Sequence, residues 1–184
     1  GPLNILITGG SQGARLFGEV IPQAIISLPD EQKARLNIVQ QAREEQLEPV
    51  RAAYKAAGVK ATVEAFFSDM QDRLAAAHLV IARAGASTVT ELAIAGRPSI
   101  LIPLGIAMDD HQTANAEGMV MGAAADVVPE PKFNVETFAP LLLERIANAG
   151  VLKARAKAAW QLGRPNAAKE LADLAEQAAG VKAG

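Results

Sequence analysis

Short apolar runs rich in β-branched residues alternate with alanine-rich stretches of helical periodicity along most of the chain. The clearest run is Leu3–Thr8, which ends at two glycines, as expected of a strand buried in a parallel sheet. Strands separated by helices form βαβ units, whose right-handed crossovers build a doubly wound parallel sheet. The sequence therefore predicts an α/β, Rossmann-like fold with five or six strands.

The bounds of these segments follow from hydrophobic periodicity and from glycine and proline breaks. Gly58 stands directly after the second predicted helix, in the position that favours a C-terminal cap. The predicted strands are residues 3–8, 37–40, 62–67, 79–82, 99–103 and 125–128. The predicted helices are residues 14–28, 45–57, 70–77, 88–95, 110 to about 121, and further helices between 134 and 178.

Composition excludes several classes of protein. Half of the 184 residues are apolar, which suits one domain with a well-developed core. The 18 basic and 20 acidic residues leave a net charge of −2, which argues against nucleic-acid binding because neutralising phosphates requires a basic face. Cysteine is absent and the two histidines are His78 and His111, so we expect no disulfide, no zinc or iron–sulfur site and no cysteine nucleophile. No cofactor is expected.

The termini and the hydropathy indicate where such a protein works. No uninterrupted apolar run approaches the roughly 18–20 residues that span a bilayer, so no transmembrane segment is expected. No secretory signal stands at the start, and the expected compartment is the cytoplasm. The chain opens with Gly1-Pro2, which is typical of a cloning remnant on a fragment, and residues 180–184 are expected to fray. We predict one domain over residues 1–184.

In a doubly wound sheet, ligands bind at the carboxyl ends of the strands, where loops lead into helices. The first such loop, TGGSQGA, covers residues 8–14. Its glycines let the backbone approach an anion, and the following helix offers free N–H groups and a positive dipole end. Ser11 and Gln12 add side-chain donors, while no Lys-Ser or Lys-Thr pair follows as in a P-loop. The alternative is a glycine turn needed only for tight strand–helix packing.

The second loop, RAGASTVTE, covers residues 83–91 and again enters a helix through a glycine. Glu91 has two interpretations that the residues alone leave open. With Thr88 as the first residue of a capping box, Glu91 would return to the Thr88 backbone. Alternatively, its carboxylate accepts both hydroxyls of a ribose.

Two further loops have a structural and a functional interpretation each. In PLGIAMDDHQTAN, residues 103–115, Asp109 or Asp110 can serve as a helix cap, yet the histidine, glutamine and asparagine donors also suit sugar hydroxyls. In FFSDM, residues 66–70, Phe67 is interpreted as a core residue rather than a platform on which a base stacks.

Taken together, the segments ITGGSQGA, FFSDM, ARAGASTVTELAIAGRPSILIPL and DDHQTANA resemble the C-terminal, donor-binding half of GT-B glycosyltransferases. More closely, from about residue 3 to about residue 178, the chain resembles glycosyltransferase family 28, the peptidoglycan N-acetylglucosaminyltransferases. The resemblance implies that the chain binds UDP-N-acetylglucosamine. It further implies a parent enzyme, peripheral on the cytoplasmic face of the bacterial inner membrane, that transfers the sugar with inversion to a lipid-linked muramoyl-pentapeptide acceptor.

The same resemblance implies that the acceptor site and the catalytic base lie in an N-terminal domain outside these 184 residues. No catalytic residue is therefore expected in this chain. No metal is expected either, since no Asp-x-Asp signature stands at a strand end. One departure concerns the second strand, where the family often has a His-Gln pair followed by glycine and this chain has Gln40-Gln41-Ala42-Arg43.

The implied substrate-binding residues fall into groups, each assigned to one part of the donor. They are Gly10, Ser11, Gln12 and Gly13 for the diphosphate and sugar side; Phe67, mainly by its backbone, for uracil; Ala86, Ser87 and Thr88 for the nucleotide and its phosphates; Glu91 for the ribose; and His111, Gln112 and Asn115 for N-acetylglucosamine.

Three other functions have partial support in the sequence. A short-chain dehydrogenase shares the start of the first glycine turn, but Arg15 replaces its third glycine and Tyr54 is followed four residues later by Gly58 instead of lysine. That function is excluded. A UDP-N-acetylglucosamine 2-epimerase and a non-catalytic module that binds a nucleotide sugar remain as alternatives.

Overall fold

The computed structural model describes residues 1–105 and 111–163, with residues 10–14 described by their backbone. Within these ranges, six strands alternate with helices, and short 3-10 turns precede α3 and α7 at Glu44–Gln46 and Glu130–Lys132. The strands are β1 Leu3–Thr8, β2 Leu36–Gln41, β3 Lys60–Glu64, β4 Leu79–Ala82, β5 Ser99–Leu101 and β6 Ala125–Val127. The helices are α1 Gly10–Ile26, α2 Asp30–Lys33, α3 Leu47–Ala56, α4 Met70–Ala76, α5 Ala86–Ile94, α6 His111–Met121, α7 Val135–Ala147 and α8 Ala149–Leu162.

All strand pairs are parallel, and the sheet order is β3-β2-β1-β4-β5-β6. This is the strand order of the dinucleotide-binding fold, so the predicted fold class is confirmed. The order reverses between β1 and β4, whose ends are aligned with Thr8 beside Ala82. The crevice at this reversal is where such folds bind their ligands.

The core has two parts, one on each face of the sheet, because successive strand side chains point to opposite sides. On the first face, Ile5 and Ile7 of β1 belong to a cluster with residues of α1, α3 and α7. On the second face, Leu6 belongs to a cluster with residues of α4, α5, α6 and α8. Both faces are therefore covered by helices, which accounts for the continuously apolar strands.

Several boundaries differ from prediction for identifiable reasons. Helix α1 begins at Gly10, four residues earlier than predicted, because the glycine turn itself forms the first helical turn. Strand β3 ends at Glu64, so Phe66 and Phe67 lie in the loop that follows. Gly58 follows α3 with a φ of +67°, which confirms the predicted cap. Asp109, Asp110 and residues 164–184 lie outside the described residues.

Helices α7 and α8 are tied to the edge strand β6 by one carboxylate. Asp126 accepts hydrogen bonds from Arg145 of α7 at 2.7 and 3.0 Å and from Arg155 of α8 at 2.9 and 3.1 Å. Burial opposes the charged form of Asp126, but the two guanidinium groups outweigh it and hold the pKa of this carboxyl below its ordinary value. The cluster thus fixes the two last described helices at the edge of the sheet.

Among residues 1–105 and 111–163, we find no helix whose length and apolar character would let it cross a bilayer.

Candidate functional site

Two helix N-termini meet where the strand order reverses. Helix α1 begins at Gly10 directly after β1, and helix α5 begins at Ala86 after a turn of three residues that follows β4. Because β1 and β4 are neighbours and parallel, the first turns of both helices lie at the same edge of the sheet. Each first turn carries backbone N–H groups without a helical partner and the positive end of a helix dipole. The arrangement suits a ligand with negative charge.

The turn between β4 and α5 is clamped by helix α6. The side-chain oxygen Oε1 of Gln112 accepts hydrogen bonds from the backbone N–H of Ala84 at 3.3 Å and of Leu104 at 2.9 Å. One helical turn further on, Nδ2 of Asn115 donates to the carbonyl oxygen of Ala84 at 3.0 Å. Both backbone groups of Ala84 are therefore bound by one face of α6. This contact connects two of the loops that the sequence singled out.

Arg83 supports the same turn from within the protein. The side chain is buried, and its Nη1 lies 3.3 Å from the carbonyl oxygen of Ile102 and 2.5 Å from the carboxylate of Glu130. Its guanidinium also lies over the ring of Phe17, 5.0 Å from the centroid. The sequence pattern gave no role to this arginine. The signal that could have indicated one is a charged residue directly after a fully apolar strand.

On the first two turns of helix α5, Ser87 and Glu91 are exposed and Thr88 is partly exposed. The N-cap of this helix is Gly85, so Thr88 is its third residue and cannot head a capping box. Of the two interpretations that the sequence leaves open for Glu91, the capping box is therefore wrong, because the helix begins earlier than the Thr-x-x-Glu pattern implies. Glu91 is exposed and makes no side-chain hydrogen bond within the described part of the chain. Its carboxylate is open to a ligand.

The loop after β3 separates two adjacent phenylalanines. Phe67 is 4% exposed and belongs to the core on the second face, which confirms the interpretation of its side chain. Phe66 is 75% exposed at the same edge of the sheet as the glycine turns. The guanidinium of Arg73 lies 4.3 Å from the centre of the Phe67 ring and pairs with Glu64 and Asp69. Any role of Phe67 in binding a base must use its backbone.

The two glutamines at the end of β2 point to opposite faces. Gln40 is buried, where its Oε1 accepts a 2.5 Å hydrogen bond from the hydroxyl of Tyr54 and its Nε2 donates to the carbonyl oxygen of Phe17 at 3.4 Å. Burial raises the pKa of the Tyr54 phenol. Gln41 points to the other face, toward the loop that carries Phe66. The position at which the chain departs from the family thus holds one core residue and one residue near the candidate site.

The remaining predicted site residues lie at the starts of helices α1 and α6. Gly10, Ser11, Gln12 and Gly13 form the first turn of α1. His111 is the first described residue of α6 and is exposed.

A family model shows what these features belong to. The model of the glycosyltransferase family 28 C-terminal domain matches residues 4–177. The chain belongs to this family. The glycine turns, the Phe-Phe loop and the α6 segment on which the sequence resemblance rested all fall within the matched range, so the predicted membership of family 28 is confirmed.

Individual relatives agree with this membership. The chain is 50% identical over 181 residues to a UDP-N-acetylglucosamine–N-acetylmuramyl-(pentapeptide) pyrophosphoryl-undecaprenol N-acetylglucosamine transferase of Rhodospirillum centenum, covering 98% of this chain and 48% of the relative. It superimposes on the crystal structure of Acinetobacter baumannii MurG with a TM-score of 0.80 and 38% identity, covering 96% of this chain and 52% of the other. The chain thus spans about half the length of the relatives it matches.

A third similarity concerns the fold alone. A putative UDP-N-acetylglucosamine 2-epimerase from Listeria monocytogenes superimposes with a TM-score of 0.62 but is only 14% identical in sequence. Epimerase and family 28 domains therefore share an architecture. Sequence identity to family 28 relatives, and not the fold, therefore separates this chain from the epimerases.

Proposed function

We propose that this chain is the donor-binding domain of an inverting N-acetylglucosaminyltransferase that carries N-acetylglucosamine from UDP to a lipid-linked muramoyl-pentapeptide. The observation that carries the proposal is the 50% identity, over 98% of the chain, to a transferase named for that reaction. The site supports it independently, because two helix N-termini and an exposed carboxylate suit a nucleoside diphosphate.

In this proposal the diphosphate lies between the first turns of α1 and α5, at Gly10–Gly13 and Ala86–Thr88. The ribose hydroxyls donate to Glu91, one turn further along α5 and exposed. The uracil lies against the backbone at Phe67, whose side chain is occupied by the core and by Arg73. The three contact regions follow β1, β4 and β3, all at the carboxyl edge of the sheet.

The sugar is assigned to the start of α6. The side-chain oxygen of Gln112 is already bound by two backbone N–H groups, which leaves its amide N–H₂ as the group for a sugar hydroxyl. His111 is exposed beside it. One N–H of the Asn115 amide donates to the carbonyl oxygen of Ala84, so we assign this residue to holding the turn in place rather than to direct sugar contact.

The chemistry divides between this chain and the rest of the parent enzyme. A base deprotonates the acceptor hydroxyl, which attacks the anomeric carbon as the bond to the diphosphate breaks and UDP leaves. This chain supplies donors fixed in advance around the departing negative charge, which is the condition for electrostatic stabilisation of a transition state. We assign the base, the acceptor site and the contact with the cytoplasmic membrane face to the half of the relatives that this chain does not span. No metal or cofactor enters the proposal.

Calorimetric titration of UDP-N-acetylglucosamine, UDP-glucose and NAD into the chain tests the proposal. We expect the first ligand to bind best, UDP-glucose to bind more weakly and NAD to give no heat. Equal binding of both UDP-sugars would indicate a general nucleotide-sugar module. Absence of binding to either would contradict the proposal. If the chain were instead part of a 2-epimerase, the full-length enzyme would convert UDP-N-acetylglucosamine to its 2-epimer. Analysis of the products distinguishes this epimer from a transferred sugar.

A further inference from the structure

Gln41 occupies a position between three strands at the carboxyl edge of the sheet. It is the last residue of β2, which lies between β1 and β3, and it is aligned with Glu64 at the end of β3. Its side chain lies on the same face as those of Leu6 and Val39, because strand side chains alternate. Loop residues 65–69 leave β3 beside it.

Both polar atoms of the Gln41 side chain are bound. Its Oε1 accepts a hydrogen bond from the hydroxyl of Thr8 at 3.0 Å, and its Nε2 donates to the carbonyl oxygen of Ala65 at 3.1 Å. Thr8 ends β1, two residues before the first turn of α1. Ala65 directly precedes Phe66 and Phe67. One side chain therefore connects the origin of the glycine turn to the loop proposed to hold the base.

Apart from the Gln41 bond, the side-chain hydrogen bonds of that loop within the described residues are local. Arg73 donates to Asp69 at 2.6 Å and to Glu64 at 3.2 Å, and it lies over Phe67. These four residues lie within ten positions of one another, so Arg73 stabilises the loop through contacts with residues close to it in the sequence. Gln41, in contrast, joins the loop to β1. Its partner in β1, Thr8, lies 33 positions before it, and its partner in the loop, Ala65, lies 24 positions after it.

We propose that Gln41 is a positioning residue that sets the separation between the diphosphate-binding turn and the base-binding loop. The inference rests on the proposed function, since it assumes that one ligand contacts both segments. A nucleoside diphosphate bridges them and gains affinity when their separation is fixed before it binds, because less ordering is then needed on binding. A ligand that contacts only one segment gains nothing from that separation.

The test compares a whole ligand with its parts. Gln41→Met keeps the size of the side chain and removes both hydrogen bonds. By calorimetry, we expect the Kd for UDP to rise by roughly 5–20-fold, the effect of one or two neutral hydrogen bonds. The Kd values for uridine and for inorganic pyrophosphate should stay within about twofold of the original values. Gln23→Met, at an exposed position of α1, is the matched control and should bind all three ligands as the unchanged chain does.

A second variant keeps the test open if Gln41→Met fails to fold. Thr8→Val removes only the bond from the β1 end and should also weaken UDP selectively. In the double variant, Thr8→Val should raise the Kd for UDP by less than it does alone, because Gln41→Met already breaks the bond between the two residues.

The outcomes separate this inference from the proposed function. If the unchanged chain binds no UDP, the proposed function fails and this inference falls with it. If the unchanged chain binds UDP and Gln41→Met binds it equally well, only the positioning role is overturned. A loss for uridine as large as that for UDP also overturns it, since Gln41 would then act within the base site alone.

Discussion

Asn115 donates a 3.0 Å hydrogen bond from its side-chain amide to the carbonyl oxygen of Ala84, so helix α6 holds the turn that follows β4. The two residues are 31 positions apart. The bond fixes the backbone that leads into α5, whose first turn is part of the proposed diphosphate site. The sequence predicts a sugar contact for Asn115 because of its amide donors, but in the structure this amide binds the protein's own backbone.

Asn115→Ala should lower the free energy of unfolding by about 1 kcal/mol, the usual contribution of one neutral hydrogen bond. It should also weaken UDP binding, because the turn at Ala84 loses one of its two anchors on α6. Chemical denaturation and calorimetry measure the two effects. Gln71→Ala, which removes an exposed amide from α4, is the control and should change neither quantity. Unchanged affinity in a destabilised Asn115→Ala variant would show that the clamp does not shape the site.

Glu91→Ala should weaken UDP binding by about 1.5–3 kcal/mol, the range for hydrogen bonds that involve a charged group. The melting temperature should hardly change, because Gly85, and not Thr88, caps the helix. Glu117→Ala removes an exposed carboxylate from the neighbouring helix and serves as the control. A folded Glu91→Ala variant with the original UDP affinity would refute the ribose contact.

Gln112→Glu and His111→Ala test the assignment of the sugar. The glutamate keeps an oxygen for the N–H groups of Ala84 and Leu104 but loses the amide N–H₂, so we expect a stable fold. Both variants should lower the preference for UDP-N-acetylglucosamine over UDP-glucose, each lost hydrogen bond contributing on the order of 1 kcal/mol. The ratio of the two affinities is the measured quantity, since any general effect of the added charge cancels in it. An unchanged ratio would remove both residues from the sugar site.

Asp126→Asn should destabilise the chain at neutral pH toward the lower end of roughly 3–5 kcal/mol, because two partly buried guanidinium groups lose the carboxylate that they share. The pKa of Asp126 is lower in the folded state than in the unfolded state. Its stabilising effect is therefore complete above the unfolded pKa of about 3.9 and is lost as the pH falls through the folded value.

Denaturation between pH 7 and pH 2 should consequently show the unchanged chain and Asp126→Asn converging at low pH. Asp30→Asn is the control, because Asp30 is almost fully exposed beside Lys33 and its pair should contribute little. Parallel stability curves for the unchanged chain and Asp126→Asn would contradict a role of the carboxylate charge.

The chain on its own should not transfer N-acetylglucosamine to a soluble lipid-linked acceptor analogue. Transfer requires the acceptor hydroxyl and a base held in reactive geometry, whereas donor binding only brings one substrate to the site. The assay is run with and without a separately produced acceptor-binding half from a family 28 relative. Transfer by the chain alone would show that the base lies within these residues.

Much of the secondary structure was predictable from local pattern. Strands β1 and β4 begin and end where the predicted runs do, because parallel strands covered on both faces are mostly apolar. Helix starts were less predictable. The first turns of α1 and α5 are rich in glycine, alanine and serine and lack hydrophobic periodicity, so both helices begin earlier than their periodicity predicts.

Local periodicity and short motifs are enough to predict the order of the strands and helices along the chain, the family, and the four loops that contain the candidate site. Which polar side chains near those loops hold the protein together depends instead on how the helices pack on the sheet. Gln112, Asn115 and Gln41 bind backbone groups between 8 and 31 positions away. Such bonds exist only once helix and sheet are packed, and buried or partly buried backbone groups then take the nearest side-chain partner available.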